Sequence, residues 1–248
     1  MPGPSRPAPS LCYVLKEDPE LAEAIEPERR AQALEACVVR EVRLPAGSWQ
    51  SGQPVALDGG IGLLVLDGIL IHRVGLGERF GAEVLGEGDV LRPVLDEGHL
   101  ATLPAMIEWL VLEPLRLAVL DERFVRQLAL FPPLAGRLFA RTILRTRQLM
   151  INMAIVQQAR VDVRLHMVFW HLAGRWGRVR SDGVMVPLRL THTVLSDLVA
   201  ARRPTVTSAL SELARRGVVR AVDEGWLLSG DPPGGLQDAR EIVPEPAG

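Results

Sequence analysis

The residues most able to do chemistry lie in one short segment, 201–217, with the sequence ARRPTVTSALSELARRG. An arginine pair stands near each end, and small hydroxyl side chains are interleaved with apolar ones between them. A guanidinium group donates paired hydrogen bonds to phosphate oxygens or to O6 and N7 of guanine. This combination of residue types indicates a surface that binds a polyanion.

Two short helices are predicted to position these side chains. Thr191 is the expected N-cap of the first helix. The apolar residues of that helix are Val194, Leu195, Leu198 and Val199. After a tight connection at 200–203, Pro204 suits the first position of the second helix, where a missing N–H costs nothing. The inward stripe of the second helix is Val206, Ala209, Leu210 and Leu213.

Two helices joined by a turn, the second with a small hydroxyl face, have the layout of a helix-turn-helix. We expect the second helix to lie in the major groove of duplex DNA. Gly217 ends this helix, and two strands around Asp223-Glu224-Gly225 form a wing. An amphipathic helix with a solvated arginine face is the simpler alternative. The predicted DNA-binding residues are Thr191, Arg202, Arg203, Pro204, Thr205, Thr207, Ser208, Ser211, Arg215 and Arg216.

The charge of the chain is unevenly distributed. The 248 residues have a formal net charge of −2. Residues 1–131 hold 12 Lys and Arg against 20 Asp and Glu, a balance of −8, whereas residues 160–220 hold 11 Arg against four acidic residues, a balance of +7. A basic C-terminal part after an acidic N-terminal part indicates a polyanion-binding module joined to a module with another task.

Several classes of protein are disfavoured. The longest apolar run, 149–156, is far shorter than the roughly 20 residues that cross a bilayer, and prolines in 1–10 argue against a signal peptide. Two cysteines, Cys12 and Cys37, are too few for a disulfide framework or a thiolate metal site. We therefore expect a cytoplasmic protein with no membrane partner, no cofactor and no metal. Without a catalytic constellation, we expect no enzyme activity.

Short strands with turn signals between them fill residues 37–121. Asp67-Gly68 is predicted as a hairpin turn, and Glu113-Pro114 as the break between two further strands. The region is expected to be an antiparallel β-domain, a sandwich or a roll, preceded by one or two short helices at 18–36.

A long helix is predicted over 132–158, beginning at Pro132-Pro133. Its second half, 149–156, is apolar nearly all round and needs cover on more than one side. Pairing with the same helix of a second subunit provides that cover, and Asn152 is a candidate for setting its register. The alternative is a helix buried inside one large domain.

From these motifs the chain, over about residues 11–230, resembles the Crp/Fnr family of bacterial transcription regulators. The family's Thr cap, Leu-Ala pair, turn and Arg-x-Thr-Val-Ser are similar to Thr191, Leu195-Ser196, 200–202 and 203–207. The segments LPAG at 44–47 and LGEGDV at 85–90 resemble parts of its cyclic-nucleotide-binding β-roll.

The resemblance implies an α+β protein with five segments. These are a tail at 1–10, a cyclic-nucleotide-binding-like antiparallel β-roll at 11–131, a dimerisation helix at 132–158, a winged helix-turn-helix at 159–230 and a tail at 231–248. It also implies a homodimer on an inverted-repeat DNA site, with RNA polymerase as a further partner. A protein-interaction adaptor, with the winged helix on a partner protein, is the alternative function.

The chain departs from the family pattern where specificity is determined. Pro204 and Ser208 replace the usual Glu and Arg of the recognition helix, and Ala200 stands where the turn often has Gly. In the ligand cassette, Leu91-Arg92-Pro93 replaces Phe-Gly-Glu, and 103–105 (LPA) lacks the phosphate-binding arginine.

We therefore expect no ordinary cyclic-AMP binding and leave the effector unknown, with Glu87 and Arg92 as weak candidates. His72 and Pro2 are similar to residues of a haem-sensing branch, but two residue types do not support a haem prediction. His166 and His171 lie five residues apart on a helix, a spacing that does not suit a shared metal.

Overall fold

The computed structural model describes residues 10–49, 59–93 and 103–233. Of the predicted tails, 1–9 and 234–248 lie outside the described residues. The chain divides into two compact units, Met1–Glu78 with Glu83–Gln148, and Arg79–Ala82 with Leu149–Gly248. Each unit is described by itself below.

The N-terminal unit begins with strand β1 (Leu11–Tyr13) and three short helices, α1 (Val14–Glu17), α2 (Pro19–Glu23) and α3 (Pro27–Ala36). The Asp18 carboxylate caps α2 by accepting a hydrogen bond from the Leu21 N–H at 3.2 Å. Proline occupies the first turn of α2 and of α3, where its missing N–H is not needed. The short helices predicted at 18–36 are confirmed, and α1 was not predicted.

Antiparallel strands form the body of this unit. They are β2 (Val38–Leu44), β3 (Gly47–Trp49), β4 (Gly62–Leu76), β5 (Arg79–Leu85), β6 (Val90–Leu91) and β7 (Met106–Leu120). Of β5, only Glu83–Leu85 belong to this unit. The order is β1-β2-β7-β4-β5, with β3 paired to β7 and β6 paired to β4. Leu63, Leu70 and Leu117 are among the buried residues of the roll interior, which also holds Trp49 and Trp109. The predicted antiparallel β-domain is confirmed.

Asp67-Gly68 and Glu113-Pro114 do not separate strands, and both predictions were wrong. β4 and β7 are each continuous over 15 residues. The two dipeptides face each other at a β-bulge, where the pairing shifts between Asp67↔Arg116 and Ile69↔Glu113. Gly68 has a φ of +93°, and a Cβ there would lie 2.3 Å from the Pro114 carbonyl oxygen. A bulge needs no ladder N–H from Pro114, so turn-forming residues are accommodated inside long strands.

Two helices follow β7. The first, α4 (Glu122–Leu130), was not predicted; the Asp121 carboxylate caps it by accepting from the Phe124 N–H at 3.1 Å. The second, α5 (Pro132–Val156), ends two residues before the predicted boundary at 158. With a rise of about 1.5 Å per residue it is roughly 38 Å long. No helix of the described ranges is both long and apolar enough to span a membrane.

One row of α5 faces the rest of the N-terminal unit. Leu134 and Leu138 are buried there. One and two turns further on, the Arg141 guanidinium binds Asp18 (Nη2 to Oδ1 2.9 Å) and Glu20 (2.7 Å), and the Arg145 Nε donates to Glu83 at 3.0 Å. The helix is therefore held against the roll by an apolar pair and two arginines.

The C-terminal unit contains three further helices and a small sheet. The helices are α6 (Val161–Trp176), α7 (His192–Leu198) and α8 (Arg203–Arg215), and the strands are β8 (Arg178–Arg180), β9 (Gly183–Val186), β10 (Val219–Val222) and β11 (Gly225–Leu228). The antiparallel sheet has the order β10-β11-β9-β8. Phe169 of α6 packs on Trp226 of β11, with ring centroids 4.8 Å apart. β10 and β11 form the wing predicted around Asp223-Glu224-Gly225.

Candidate nucleic-acid interface

The first helix of the pair, α7, begins as the sequence predicts. Thr191 is its N-cap, and the Thr191 Oγ1 accepts a hydrogen bond from the Val194 N–H at 3.2 Å. All four predicted apolar residues are buried: Val194, Leu195, Leu198 and Val199. The Thr191 hydroxyl thus has a structural role, which is to fix the start of α7.

The connection from α7 to α8 is a Schellman turn. The Ala201 N–H donates to the Ser196 carbonyl at 3.0 Å, and the Ala200 N–H to the Asp197 carbonyl at 3.4 Å. Ala200 has a φ of +50°, the sole positive value at a non-glycine position in the described ranges. Because the left-handed region costs an L-residue about 1–2 kcal/mol, alanine at this position is strained, as expected from the glycine that the family often has here.

The second helix, α8, begins at Arg203, with Pro204 in its first turn and Arg202 as N-cap. Pro204 was expected at the first helical position and lies one residue later. Val206, Leu210 and Leu213 are buried, so the predicted inward stripe is present. Gly217, with a φ of +71°, ends the helix in a second Schellman turn, in which the Val218 N–H donates to the Leu213 carbonyl at 3.1 Å.

The exposed side of α8 carries three hydroxyl groups that donate to backbone carbonyls one turn earlier. Thr207 donates to the Arg203 carbonyl at 3.1 Å, Ser208 to Pro204 at 3.2 Å, and Ser211 to Thr207 at 3.1 Å. Since each hydroxyl has one proton, this face presents oxygen lone pairs in the conformation observed. Thr205, also predicted to bind DNA, is exposed on the first turn of the same helix.

The arginines at the two ends of α8 differ in their partners. Arg202 and Arg203 are exposed, and within residues 10–49, 59–93 and 103–233 neither side chain has an ion pair. Arg215 donates from Nε to Glu212 at 3.1 Å, and Arg216 donates to Asp162 at 3.3 Å. The first pair is therefore available for a polyanion, and the second is partly neutralised by its own chain.

Asp162 anchors the end of α8 to the start of α6. Its carboxylate binds Arg160 (Nε to Oδ1 3.0 Å) as well as Arg216. The hydrogen bond and charge of Arg160 lower the pKa of Asp162, although burial opposes the shift. The ionised Asp162 gives Arg216 a structural role in holding the end of α8 to α6. The position of Arg216 in the sequence did not reveal this role.

Two residues that contact the candidate interface were not identified from the sequence. His192, immediately after the N-cap, places Nδ1 2.9 Å from the Thr207 Oγ1 on the exposed side of α8. Arg164 of α6 donates to the carbonyls of Val199 (3.1 Å) and Ala200 (3.4 Å) in the turn. The position of His192 next to a capping threonine could have identified it from the sequence. No local pattern identifies Arg164, because its partner Val199 is 35 residues away.

His166 and His171, considered and rejected as a metal pair, have other surroundings. The His166 Nε2 accepts a hydrogen bond from the Trp170 indole at 3.0 Å. Burial lowers the pKa of both imidazoles, and the positive charge of Arg216 adds to the effect on His166.

The candidate effector residues lie on the surface of the roll. Glu87 and Arg92 are exposed, and Leu103, at the position of the family's phosphate arginine, is 62% exposed. The turn before Arg92 is closed on itself, because the Asp89 carboxylate accepts from the Gly86 N–H at 2.8 Å. In the described part of the chain no arginine or lysine is fully buried.

A winged helix-turn-helix following a β-roll and a long helix is the architecture of a DNA-binding transcription regulator. Residues 163–232 match the family model of the Crp-like helix-turn-helix domain. No curated protein matches the chain by sequence.

Solved structures share the fold over most of the chain. A cyclic nucleotide-binding domain containing protein from Listeria monocytogenes EGD-e is 13% identical, with a TM-score of 0.60 over 86% of this chain and 97% of that one. A CooA mutant from Carboxydothermus hydrogenoformans is 16% identical, with a TM-score of 0.57 over 82% and 87%. FixK2 from Bradyrhizobium japonicum is 14% identical, with a TM-score of 0.56 over 84% and 99%. At these identities the likeness establishes the fold, and the predicted resemblance to the Crp/Fnr family is confirmed.

The two Schellman turns of the helix pair allow a matched test of backbone strain. We expect A200G to raise the free energy of unfolding by about 0.5–1 kcal/mol, because glycine adopts a positive φ without steric cost. G217A, at the equivalent position after α8, should lower it by about 1 kcal/mol, since its Cβ meets no atom and only the backbone is strained. Urea unfolding of both variants measures the difference, and shifts of the same sign would contradict this account.

Proposed function

We propose that the chain is a homodimeric transcription regulator that binds an inverted-repeat DNA site through α8. The observation that carries the proposal is the pair of exposed arginines without ion pairs, Arg202 and Arg203, at the start of a helix whose outer face is small and polar. Small side chains let a helix lie deep in the major groove, where a guanidinium reaches guanine or phosphate. On the resemblance alone, we extend the proposal to a cytoplasmic location and to RNA polymerase as a partner.

Arg203 and Arg215 are proposed to contribute differently to DNA binding. R203A should weaken binding to a selected operator about 10- to 100-fold while changing random-sequence affinity little, as expected for a base contact. R215A should weaken both by a similar factor and reduce the salt slope by about 1, as expected for a phosphate contact. Fluorescence anisotropy titrations over a range of salt concentrations measure all of these quantities.

The same titrations separate the regulator from the adaptor alternative. A regulator shows affinity that falls steeply with salt, by about 0.9 logarithmic units per phosphate contact, and prefers a palindrome. Binding without salt dependence or sequence preference would favour an adaptor. Equal, small losses for R203A and R215A on both DNAs would contradict the assigned roles.

We propose that the outer face of α5 is the dimer contact. Phe139, Ile143, Thr146, Met150 and Met153 repeat at alternating spacings of four and three residues, the pattern of a coiled-coil seam. All five are exposed, Phe139 by 67% and Met150 by 59%. Single exposed apolar residues are ordinary, but a row on a long helix that is apolar at every position except Thr146 calls for a partner. A second copy presents the same row.

Asn152, expected to set the register of the pair, lies off this row. Its Nδ2 is 3.4 Å from the carbonyl oxygen of Ala82 in the same chain. The polar residue on the row is Thr146, whose hydroxyl donates to the Thr142 carbonyl at 3.0 Å. We therefore propose Thr146 rather than Asn152 as the polar position within the contact.

A charge on the row should break the dimer. We expect I143E and M150E each to raise the dissociation constant of the dimer about 100-fold, because an unpaired carboxylate would be buried in an apolar contact. Q148E, on the exposed opposite side of the same helix, is the control and should change the constant little. Sedimentation equilibrium measures association, and a monomeric wild type, or dimers of unchanged strength in I143E, would contradict the proposal.

We also propose that the roll does not bind cyclic AMP. Its buried interior holds apolar side chains and the indole N–H groups of Trp49 and Trp109, which have no hydrogen-bond partner, but no arginine or lysine within the described residues. Arg145 of the long helix is already paired with Glu83. Leu103 itself cannot supply the charge-assisted hydrogen bonds that a cyclic phosphate needs.

Titration calorimetry with cyclic AMP tests the proposal that the roll does not bind this nucleotide. We expect no saturable heat with up to millimolar ligand. L103R should not create binding alone, because the family's glutamate is also missing at 91–93. Saturable micromolar binding by the wild type would overturn the proposal and place the phosphate on another cation.

A further inference from the structure

His192 and Thr207 form a hydrogen-bonded pair whose direction can be assigned. The His192 Nδ1 lies 2.9 Å from the Thr207 Oγ1, and the same hydroxyl donates to the Arg203 carbonyl at 3.1 Å. A hydroxyl has only one proton, so both contacts are hydrogen bonds at once only if the imidazole donates to Thr207, and we assign that tautomer. Nδ1 therefore carries a hydrogen, and in the neutral ring Nε2 has a free lone pair.

The side of α8 next to His192 is therefore rich in hydrogen-bond acceptors. Thr207, Ser208 and Ser211 all direct their hydroxyl protons to backbone carbonyls, and the His192 Nε2 adds a nitrogen acceptor beside them. Donors lie at the start of the helix, on Arg202 and Arg203. In the major groove, guanine and thymine present acceptors, whereas adenine N6 and cytosine N4 present donors.

We propose that His192 is a specificity-determining residue, which accepts a hydrogen bond from the amino group of an adenine or cytosine in each half-site. Thr207 orients the ring by accepting from Nδ1, so the two residues act as one unit. This inference rests on the proposed function, and it adds a residue of α7 to a recognition surface that the sequence placed on α8 and its flanks.

The test is a double-mutant cycle in the full-length chain. The wild type first selects its preferred site from a library of random duplexes. Affinities of H192A, T207V and the double variant are then measured for that site and for all single base-pair changes. S208A, alone and with H192A, is the matched control, because Ser208 makes the same bond to its own helix but has no imidazole contact among the described residues.

We expect H192A to reduce discrimination at one adenine or cytosine position about fivefold and to leave the other positions unchanged. T207V should act at the same position, and the double variant should lose no more than H192A alone. The losses of H192A and S208A should multiply, as for independent sites. H192N keeps a donor near Thr207, but its shorter side chain places no acceptor as far from the backbone as Nε2, so it should lose the preference as H192A does.

Each other outcome has a distinct meaning. Unchanged preference in H192A, full preference in H192N, or multiplying losses of H192A and T207V would overturn the inference while leaving DNA binding intact. A wild type that selects no site would overturn the proposed function together with it. Thermal unfolding of each variant verifies the fold, and H192N carries the test if H192A does not fold.

Discussion

The left-handed turn at Ala200 is the constraint on which the candidate interface depends. It fixes the angle between α7 and α8, and thereby the direction in which Arg202, Arg203 and the hydroxyl row point. The Arg164 guanidinium stabilises this turn by donating to its last carbonyls, and its Nε donates to the Gln158 carbonyl just beyond α5 at 2.5 Å. At the other end of α8, Asp162 binds Arg216. Two contacts from α6 thus hold both ends of α8, although α6 presents none of the predicted DNA-binding residues.

The local balance of +7 overstates the charge available to a ligand. Arg160, Arg180, Arg215, Arg216 and Arg220 each bind a carboxylate of the same unit, and Arg164 binds carbonyls. Arg178, Arg189, Arg202 and Arg203 are exposed and have no ion pair within the described ranges. Exposed ion pairs contribute little to stability, so Arg180, Arg215 and Arg220 can exchange a carboxylate for a phosphate. Arg160 and Arg216 differ because they share the carboxylate of Asp162, which is only 11% exposed and connects α6 to α8.

The sequence predicted those parts of the fold whose signal is local. The cap at Thr191, the inward stripe of α8 and the stop at Gly217 depend on residues within one helix, and all three are present. The predictions at Asp67-Gly68 and Glu113-Pro114 were wrong because the same residue types favour hairpin turns and β-bulges. Only the pairing with the neighbouring strand distinguishes the two. His192 and the anchor role of Arg216 depend on contacts between helices. His192 and Thr207 are 15 residues apart, and Asp162 and Arg216 are 54 apart. Contacts over such separations produce no periodic pattern in the sequence.

The contacts of Arg145 on α5 indicate which interactions an effector of this chain would have to change. Arg145 binds Glu83 and the Val90 carbonyl (3.0 Å), and Glu83 also lies 2.8 Å from the His72 ring, which stacks on Trp109 in the roll. Burial alone would raise the pKa of Glu83, but hydrogen bonds from His72 and Arg145 outweigh it and hold the pKa below its usual range. Removing Arg145 would leave a largely buried carboxylate at Glu83 with one partner fewer. A ligand shifts α5 only through a differential effect on such contacts, so an effector that frees Arg145 must itself supply a charge for it.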